Sequence, residues 1–470
     1  MNVNRQETDQ SLIETDMKNL QLIAERSPQA IIRTAPINPK EAYPYIGIHG
    51  LQDTPKGFLR FSPQDFIVEE IGIDNEISSI APTQDIPTTT NSDKTIYADM
   101  VKIGMSTLDA VKQVSETLNI APGLIGYSGI KDARAITSQG ISIRGASIPK
   151  IQQASWNQIF LKNLISGKGA LAPGQLQGNK FTLFVRTQEP YLQHILDEKL
   201  SALSTHGYPN FYGIQRFGNR LLNPILGKLL AQGAFEEATK VFLTASGPFD
   251  IQIYTAIRKK AVEHYGNWKT MRAQFDLLPY RFRHERKLLS ALIQYNSNYS
   301  RAFLSIEDQV KFWIYGYASY IINSTLSGAY TGTQDIPNPL PMPLGGGFSD
   351  ELYSEVLRID ETVNYAEHLS RLPFWRKKYR TLDPWIAPTI HQAISTPEGV
   401  ALSFSLPRAA YATTMLMFLF EIYEGTPVPE WVAQSEVDSK ELVHETPVRE
   451  TVSKFIYQDF NKQAVQEEIE

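Results

Sequence analysis

Three segments of the chain alternate apolar and polar side chains, which is the pattern of a β-strand with one buried face. They are GFLRFSPQDFIVEEI (57–71), IYADMVKIGM (96–105) and GNKFTLFVRT (178–187). Ser62 and Pro63 form a turn signal inside the first segment, so we expect its main strand to follow them. The first part of the chain is therefore predicted to form a sheet.

Other segments repeat apolar residues at the spacing of a helix. One begins after Ser106, a residue type that caps helix N-termini, and stops at Pro122-Gly123. Its apolar positions at helical spacing are Leu108, Val111, Val114 and Leu118. A second helix is predicted to end at Gly207, and residues 225–330 are mostly helical in pattern.

The predicted elements run from strands to helices and back to strands. The last pair includes YATTMLMFLFEIY (411–423), which we interpret as a buried helix. This order predicts an α+β domain interrupted by a mainly helical insertion. The predicted parts are an N-terminal arm (1–44), the first part of the α+β domain (45–244), the insertion (245–380), the closing part of the α+β domain (381–428) and an acidic C-terminal tail (429–470).

Composition excludes several classes of site. The 470 residues include no cysteine, so disulfides, thiolate nucleophiles and cysteine metal sites are ruled out. This fits a reducing compartment, and we expect a cytoplasmic protein. The eight histidines have no ligand spacing, so we predict no metal. No secretory signal is visible, and the longest apolar stretch is too short to span a bilayer, so we expect no membrane association.

The charge of the chain is uneven. The formal net charge of −5 argues weakly against a nucleic-acid partner, and residues 430–470 alone contain ten Asp or Glu against four Lys or Arg. Two stretches, 258–287 and 374–380, instead mix Lys and Arg with aromatic residues. Local basic patches determine affinity for phosphate backbones. An RNA-binding surface and an ordinary solvated helix face both stay open at this point.

The segment GYSGIKDARAITSQG (126–140) concentrates charge after a glycine turn. Lys131, Asp132 and Arg134 lie within four residues and directly follow a helix stop signal. Asp132 is therefore predicted to lie on a loop between elements, where functional groups are common. Aspartates in turns often bond only their own backbone, so a structural and a chemical role both stay open.

The segment YPNFYGIQRFGNR (208–220) combines planar hydrogen-bonding groups with aromatic rings. The residues concerned are Asn210, Tyr212, Gln215, Arg216 and Phe217. Such a set can stack on a nucleobase and hydrogen-bond to its edge. A tight aromatic turn on a core helix would give the same pattern.

Taken together, these segments resemble the TruD family of tRNA pseudouridine synthases. GYSGIKDARAITSQ resembles the family's G-[YF]-[AS]-G-x-K-D-x-x-A-x-T-x-Q motif, and NFYGIQRFG resembles its N-Y-F-G-x-Q-R-F-G motif. Three further segments resemble family elements: SPQDFIVEE, LQGNKFTLFVR and LSFSLPRAAYAT. All five occur in the family's order. The resemblance implies an α+β fold with a pseudouridine-synthase-like mixed or antiparallel sheet as catalytic domain and a mainly helical TRUD insertion domain.

The resemblance also implies roles for single residues. Asp132 occupies the position of the catalytic aspartate, and Arg60 occupies a basic position that can pair with it. Tyr212 falls where the family stacks an aromatic ring on the target uracil, Tyr411 on a second active-site aromatic, and Asn210 on an asparagine of the pocket. The other predicted substrate-binding residues are Lys131, Arg134, Gln215 and Arg216.

Two departures from the family pattern concern the aromatic residues. NFYG reverses the order of NYFG, so Tyr212 brings a hydroxyl where the family often has phenylalanine. RAAYAT lacks the glycine–serine pair that the family has before the position of Tyr411. The turn around Tyr411 is therefore less closely specified by the resemblance.

Pseudouridine formation breaks the N1–C1′ bond, turns the uracil and rejoins it through C5. The resemblance implies one carboxylate, acting as nucleophile at C1′ or as base at C2′, and no metal or redox cofactor. Desolvation raises the pKa of a carboxyl group, so an ionised aspartate in such a site requires a nearby cation. Lys131, Arg134 and Arg60 are the candidates.

The leading hypothesis is a pseudouridine synthase whose partner is tRNA, acting at the uridine at position 13 in the D-arm as the resemblance implies. The two basic stretches are predicted to bind the tRNA backbone. One alternative is the same chemistry on another uridine or RNA. Another is a non-catalytic RNA-binding or tRNA-folding factor, which the intact Asp132 disfavours. A retaining glycosidase would need a second carboxylate about 5 Å away, and no motif supplies one.

Overall fold

The computed structural model describes residues 3–31, 33, 36–82 and 95–456. The end of the predicted acidic tail, residues 457–470, and parts of the predicted N-terminal arm lie outside the described residues. No helix of the described part is both long and apolar enough to cross a membrane.

The described residues divide into two compact units. The helical unit contains the described residues up to 52 and residues 209–385. The sheet unit contains the described residues from 53 to 208 and from 386 to 456. The chain passes from the sheet unit to the helical unit after residue 208 and back after residue 385, whereas the sequence places the limits of the insertion at 244 and 380. The predicted assignment of domains by function stays a prediction.

The strands are numbered in chain order. They are β1 (Lys56–Phe58), β2 (Phe66–Ile71), β3 (Thr95–Ile103), β4 (Ile125–Tyr127), β5 (Ile136–Arg144), β6 (Ile159–Gly167), β7 (Gly178–Thr187), β8 (Tyr208–Pro209), β9 (Leu340–Pro341), β10 (Thr381–Leu382), β11 (Trp385–Ile386), β12 (Thr389–Thr396), β13 (Gly399–Pro407) and β14 (Glu421–Tyr423).

The α-helices are numbered in the same way. They are α1 (Val3–Arg26), α2 (Pro39–Ala42), α3 (Thr107–Thr117), α4 (Ile148–Gln153), α5 (Gln193–His206), α6 (Asn223–Ala231), α7 (Phe235–Thr244), α8 (Gln252–Glu263), α9 (Trp268–Gln274), α10 (Arg283–Gln294), α11 (Tyr299–Ala302), α12 (Glu307–Tyr330), α13 (Phe348–Leu352), α14 (Ser354–Ile359), α15 (Tyr365–Ser370), α16 (Ala412–Leu416), α17 (Ser439–Leu442) and α18 (Val448–Val452).

A mixed sheet forms the centre of the sheet unit. Its main path runs β12-β13-β7-β2-β5-β3-β6, and β4 pairs with β5 at the side. The β2–β5 and β1–β14 pairs are parallel, while the other pairs of this path are antiparallel. Strands from both ends of the chain thus share one sheet, as expected for a domain interrupted by an insertion. The predicted α+β class is confirmed.

Two helices cover the sheet with apolar side chains. Leu196, Leu200 and Leu203 of α5 join a core cluster with residues of β7 and β13. Val111 and Val114 of α3 join a second cluster with residues of β3, β5 and β6. Each helix repeats apolar residues every three or four positions, so one stripe is buried while the opposite face stays polar. The site loops lie at the ends of strands that these helices hold in place.

Helix α3 begins where the sequence predicts. The Ser106 side chain accepts a hydrogen bond from the backbone of Asp109, which satisfies a free amide of the first turn. Val111 and Val114 are buried as predicted, but Leu108 is 54% exposed. The buried face of the first turn is formed instead by Thr107 and Ala110, so Leu108 lies at the solvent side despite its periodic spacing.

The helical unit is built around α12, a 24-residue helix. Helices α6 and α12 approach so closely that glycines are required at the contact. A Cβ atom on Gly227 would lie 2.2 Å from the carbonyl oxygen of Trp313, and one on Gly316 would lie 2.6 Å from the Cβ of Asn223. Residues that follow α5 in the chain are held against this helix pair.

The apolar character of segment 411–423 predicts one buried helix, but the structure does not have one there. The segment forms the short helix α16 and then β14, with Leu419 and Phe420 of the connection fully buried and Phe418 partly buried. A continuous apolar run fits a buried strand as well as a buried helix, and pairing of β14 with β1 decides between them here.

The described residues after 429 belong to the folded sheet unit. Lys440 in α17 is buried, and its Nζ lies 2.7 Å from Glu69 Oε1. Val448 and Phe455 pack in one cluster with Val101 of β3. Acidic composition alone suggests a solvated tail, but Glu445 is paired with Lys180 and Lys440, and Glu441 with Arg449.

Candidate active site

The loop between β4 and β5 carries Asp132, as the sequence predicts. Two fully buried side chains hold its first half. Thr107 Oγ1, at the start of α3, accepts a hydrogen bond from the Lys131 amide at 2.9 Å and donates to Gln139 Oε1 at 2.9 Å. Gln139 Nε2, on β5, donates to the Gly129 carbonyl at 2.9 Å. The backbone that leads into Asp132 is therefore bonded to both neighbouring elements.

The carboxylate of Asp132 is paired with Arg60. Arg60 Nη2 lies 3.2 Å from Asp132 Oδ1, and Arg60 Nη1 lies 2.8 Å from Glu424 Oε2. The guanidinium also lies over the ring of Phe66, 4.0 Å from its centre. The side chain of Arg60 is 9% exposed and that of Asp132 is 35% exposed. The carboxylate therefore faces a fixed cation and keeps one accessible side.

Arg60 is held as a charged group in a strained backbone position. Burial disfavours its charge, but the attraction of Asp132 and Glu424 and the hydrogen bonds to both outweigh burial and raise the pKa of the guanidinium. Its backbone has a φ of 57°, in the left-handed region that non-glycine residues seldom adopt. Strain of this kind costs on the order of 1–3 kcal/mol and is concentrated at functional sites.

Lys131 is directed to a different partner from the one that the sequence suggests. Its Nζ lies 2.7 Å from Glu70 Oε2 on β2 and donates to Asn179 Oδ1 on β7 at 2.5 Å. Burial raises the pKa of Glu70 and lowers that of Lys131, and the attraction between the two opposes both shifts. Of the candidate cations, Arg60 forms the ion pair with Asp132, and Lys131 forms one with Glu70.

Arg134 and Tyr411 are the other predicted residues in the sheet unit. Arg134 is half-buried on the same loop as Asp132. Tyr411 directly precedes α16, and its carbonyl accepts a hydrogen bond from Thr414 Oγ1 at 2.7 Å. The Tyr411 ring is 39% exposed, which leaves a face for a ligand.

Sequence reasoning did not single out Glu424, Glu70 or Asn179. Glu70 and Asn179 lie inside the segments that carry the family resemblance, so position within a motif was an available signal. Glu424 lies 364 positions from Arg60 in the chain, and no local pattern links the two.

The segment after α5 carries Tyr212 in the helical unit. Its backbone is bound by Asn323, a fully buried residue of α12: the Tyr212 amide donates to Asn323 Oδ1 at 2.8 Å, and Asn323 Nδ2 donates to the Tyr212 carbonyl at 3.0 Å. The Arg216 guanidinium lies 5.0 Å from the centre of the Tyr212 ring. Tyr212 and Arg216 are therefore brought together, and the ring position is fixed through the backbone.

Burial alternates along this segment. Phe211 and Phe217 are buried in the core, whereas Tyr212 is half-buried and Gln215 is exposed. The Asn210 side chain donates from Nδ2 to the carbonyl of Asp383 at 2.9 Å. The phenylalanines anchor the turn, so the polar and aromatic groups between them stay at the surface of the unit.

The basic stretch 258–287 is not a continuous solvated surface. Arg258 is buried, and its Nη2 lies 2.8 Å from Glu285 Oε1; Arg220 lies 3.7 Å from the same oxygen. Burial raises the pKa of Glu285, but both arginines outweigh burial and lower it overall. Burial and the charge of Arg258 lower the pKa of Arg220 to about 9. Arg258 is therefore not a surface cation, and RNA binding by the rest of the stretch stays a prediction.

Other cations of this stretch line an open cavity. The cavity has a volume of about 570 Å³, and its basic lining residues are Arg272, Arg283, Arg286 and Lys287. Arg286 is paired with Asp276 at 2.7 Å. In the second basic stretch, residues 376–380 are all exposed, and Lys377 lies 3.2 Å from Asp350. Both stretches thus present cations to solvent within the helical unit.

A family model described as tRNA pseudouridine synthase D (TruD) matches residues 51–341 of the chain. A Pyrobaculum islandicum protein named "Probable tRNA pseudouridine synthase D" is 30% identical over 348 residues, covering 73% of this chain and 74% of the relative. A Methanopyrus kandleri protein of the same name is 27% identical over 344 residues, covering 67% and 82%. "tRNA pseudouridine synthase D" of Geobacter sp. strain M21 is 25% identical over 401 residues, covering 77% and 95%.

The fold also matches a solved structure. A crystal structure of a Methanosarcina mazei protein described as tRNA pseudouridine synthase D aligns with a TM-score of 0.65 at 22% identity. The alignment covers 81% of this chain and 98% of that one. At this identity the match concerns the fold.

Proposed function

The chain belongs to the TruD family of tRNA pseudouridine synthases, which are isomerases, and on that premise we propose that it converts the uridine at position 13 of the tRNA D-arm to pseudouridine. The observation that carries the proposal is the ion pair between Arg60 and Asp132, on a loop that leaves the carboxylate partly accessible. We further propose that the reaction takes place in the cytoplasm.

Asp132 is the proposed catalytic residue. Its carboxylate attacks C1′ or removes a proton from C2′ of the target nucleotide; either step requires the ionised form. Arg60, whose own charge is held by Glu424 and survives burial, is the cation that faces this carboxylate. Cleavage of the glycosidic bond frees the uracil to turn in place. C5 then bonds to C1′ as Asp132 leaves C1′ or returns its proton to C2′, and the hydrogen on C5 is lost as a proton while N1 gains one.

Recognition of the uracil is assigned to the aromatic and amide residues. The target base must leave its stack, and stacking on an aromatic side chain is worth about 1–3 kcal/mol per base. Tyr212, with its backbone fixed by Asn323, and Tyr411, with an exposed ring, are the proposed stacking residues. Asn210 and Gln215 are the proposed hydrogen-bonding partners of the base or its neighbours.

Cations at the surface supply the remaining affinity. Arg134 and Arg216 are proposed to contact phosphates next to the target nucleotide, and Lys131 to support the loop through Glu70. Farther from the base, the cations of the cavity on α9 and α10 and residues 376–380 are proposed to bind the tRNA backbone. Phosphate contacts of this kind position the RNA without reading its sequence.

One assay tests the function. The protein is incubated with unmodified tRNA transcripts, and pseudouridine is mapped by carbodiimide treatment and primer extension. We expect one stop at position 13 and none in a transcript with cytidine there. A stop at another uridine supports the same chemistry on a different site. Binding without any pseudouridine supports the alternative of a non-catalytic tRNA-binding factor.

A further inference from the structure

A lysine lies beneath the loop that carries Asp132. Lys102, on β3, is fully buried, and its Nζ donates to two main-chain carbonyls: that of Met105 at 2.7 Å and that of Asp132 at 2.8 Å. Among the residues that the structure describes, Lys102 forms no ion pair. The ammonium group is therefore held by carbonyl dipoles alone.

Fold stability gives no reason for a lysine at this place. Its neighbours Val101 and Ile103 are fully buried apolar residues, and Met100 is as well. A buried ammonium without a carboxylate partner is costly, and burial lowers the pKa of Lys102 to about 7. An apolar side chain of similar length would fill the same volume at lower cost. Unlike an apolar side chain, lysine can donate the two hydrogen bonds to the carbonyls of Met105 and Asp132.

We propose that Lys102 is a positioning residue for the pseudouridine reaction, fixing the main chain of Asp132 so that its carboxylate stays against Arg60. This inference rests on the proposed function. Thr107 binds the loop one residue earlier through the Lys131 amide, and Arg60 binds the carboxylate itself. The Lys131 amide, the Asp132 carbonyl and the Asp132 carboxylate are thus each bound by a different side chain. Together these three bonds restrict how far the loop can turn the carboxylate away from Arg60.

The positive charge adds an electrostatic effect. The charged groups that act on Lys102 are Asp132 and Lys131 of the loop and Asp109 of α3. The attraction of Asp132 for the protonated amine adds to the two hydrogen bonds that hold the loop. When pH rises through about 7, the amine loses this attraction but keeps hydrogens to donate, so the positioning role persists.

The test compares Lys102→Met with Lys162→Met. Lys162 on β6 is also buried, and its Nζ donates to a carbonyl, that of Ala81, at 2.6 Å. Both variants remove a buried ammonium, but only the first removes a bond to Asp132. Hydrogen exchange of a peptide spanning residues 128–135 reports on the loop without any turnover. Single-turnover rates at saturating tRNA report on the chemistry, and tRNA affinity is measured separately.

We expect faster exchange of the loop in Lys102→Met only, with a loss of roughly tenfold to hundredfold in the single-turnover rate and unchanged tRNA affinity. If the loop of Lys102→Met exchanges at the wild-type rate, the proposal is overturned, even if the wild-type protein makes no pseudouridine. If the wild-type protein makes no pseudouridine but the loop of Lys102→Met exchanges faster, the proposed function is refuted and the positioning role stays supported. If Lys102→Met does not fold, Lys102→Gln takes its place, because its shorter side chain cannot reach the Asp132 carbonyl; wild-type exchange of the loop in that variant overturns the proposal.

Discussion

Arg60 Nη2 approaches Asp132 Oδ1 to 3.2 Å while the other end of the same guanidinium is held by a second carboxylate. One arginine thus connects the loop that carries Asp132 with the residue that directly follows β14. A bond of this kind restricts the direction of the carboxylate, on which the proposed chemistry depends.

Removal of the carboxylate is expected to abolish the reaction without affecting RNA binding. Asp132→Asn keeps the size of the side chain and its hydrogen bond from Arg60, but it cannot act as nucleophile or base. Most of the affinity comes from phosphate contacts, so binding of tRNA should change by no more than a few-fold. Pseudouridine mapping and a binding titration on the same preparation measure the two effects. Substantial turnover by Asp132→Asn would contradict the catalytic assignment.

Removal of the cation should weaken the chemistry less than loss of the carboxylate. In Arg60→Met, Asp132 and Glu424 lose their shared partner, and the carboxylate is no longer held in one direction. We expect a fall of about a hundredfold in single-turnover rate. Glu424→Gln keeps Arg60 and its bond to Asp132, so a smaller fall is expected. If Glu424→Gln is the more damaged variant, the Arg60–Asp132 pair is not the main determinant of the rate.

The ring of Tyr212 should matter more than its hydroxyl group. Tyr212→Ala removes the proposed stacking surface and should lower the chemical rate with little effect on folding, because the backbone contacts to Asn323 remain. Tyr212→Phe should be nearly silent, because the proposed stacking role belongs to the ring and not to the hydroxyl, which donates to Met342 Sδ at 3.5 Å. Rates of both variants, with circular dichroism as a folding control, make the comparison. Equal damage in the two would show that the hydroxyl takes part.

Cations at the surface and in the core should respond differently to substitution. Replacing Arg272, Arg283 and Lys287 by glutamine should weaken tRNA binding and reduce the slope of log affinity against log salt by roughly 0.7–0.9 for each lost phosphate contact. The quadruple replacement of Arg376, Lys377, Lys378 and Arg380 should act in the same way. An unchanged slope in either variant means that its residues form an ordinary solvated surface.

Arg258→Met provides the matched contrast, since Arg258 belongs to the same stretch but is buried against Glu285. Breaking a buried ion pair costs about 3–5 kcal/mol, so the loss should appear as a lower free energy of unfolding. The salt slope of the folded variant should match that of the wild type. A reduced slope at wild-type stability would instead place Arg258 at the RNA surface.

The buried lysine predicts a pH dependence of stability. The pKa of Lys102 is about 7 in the folded chain against 10.5 for an ordinary lysine. Between these values the unfolded state binds more protons, so the free energy of unfolding rises with pH, by at most about 1.4 kcal/mol per unit. From about pH 7 to about pH 10, the denaturant midpoint of the wild type should rise relative to that of Lys102→Met. Parallel curves would mean that the lysine titrates normally.

Local features were predictable from the sequence, and distant pairings were not. The Ser106 cap, the strand at 178–187 and the loop position of Asp132 follow from neighbouring residues alone. The burial of Arg258 depends on Glu285 and Arg220, which its own surroundings in the chain do not indicate. Charge in a sequence predicts affinity for phosphate only when folding leaves that charge at the surface.

The candidate site illustrates the same limit. Motif resemblance selected Arg60 and Asp132, but it could not choose between Arg60, Lys131 and Arg134 as the partner of the carboxylate. That choice depends on the register of β2 and β7, which places Glu70 and Asn179 around Lys131 and directs it away. The register results from packing of the whole sheet and is not encoded in any one segment.

The parallel pairing of β1 with β14 has a consequence for biosynthesis. Residues 56–58 pair with residues 421–423, so the strand that precedes Arg60 lacks one of its neighbours until almost the whole chain has left the ribosome. Until then Glu424 is missing as well, and Arg60 has neither its anchor nor its final burial. Closing so long a loop is entropically costly and slow, so we expect this corner of the sheet to fold late. A nascent chain that ends before residue 421 would then carry the motif loop without this support, and the Arg60–Asp132 pair would reach its final arrangement only after β14 and Glu424 have been added.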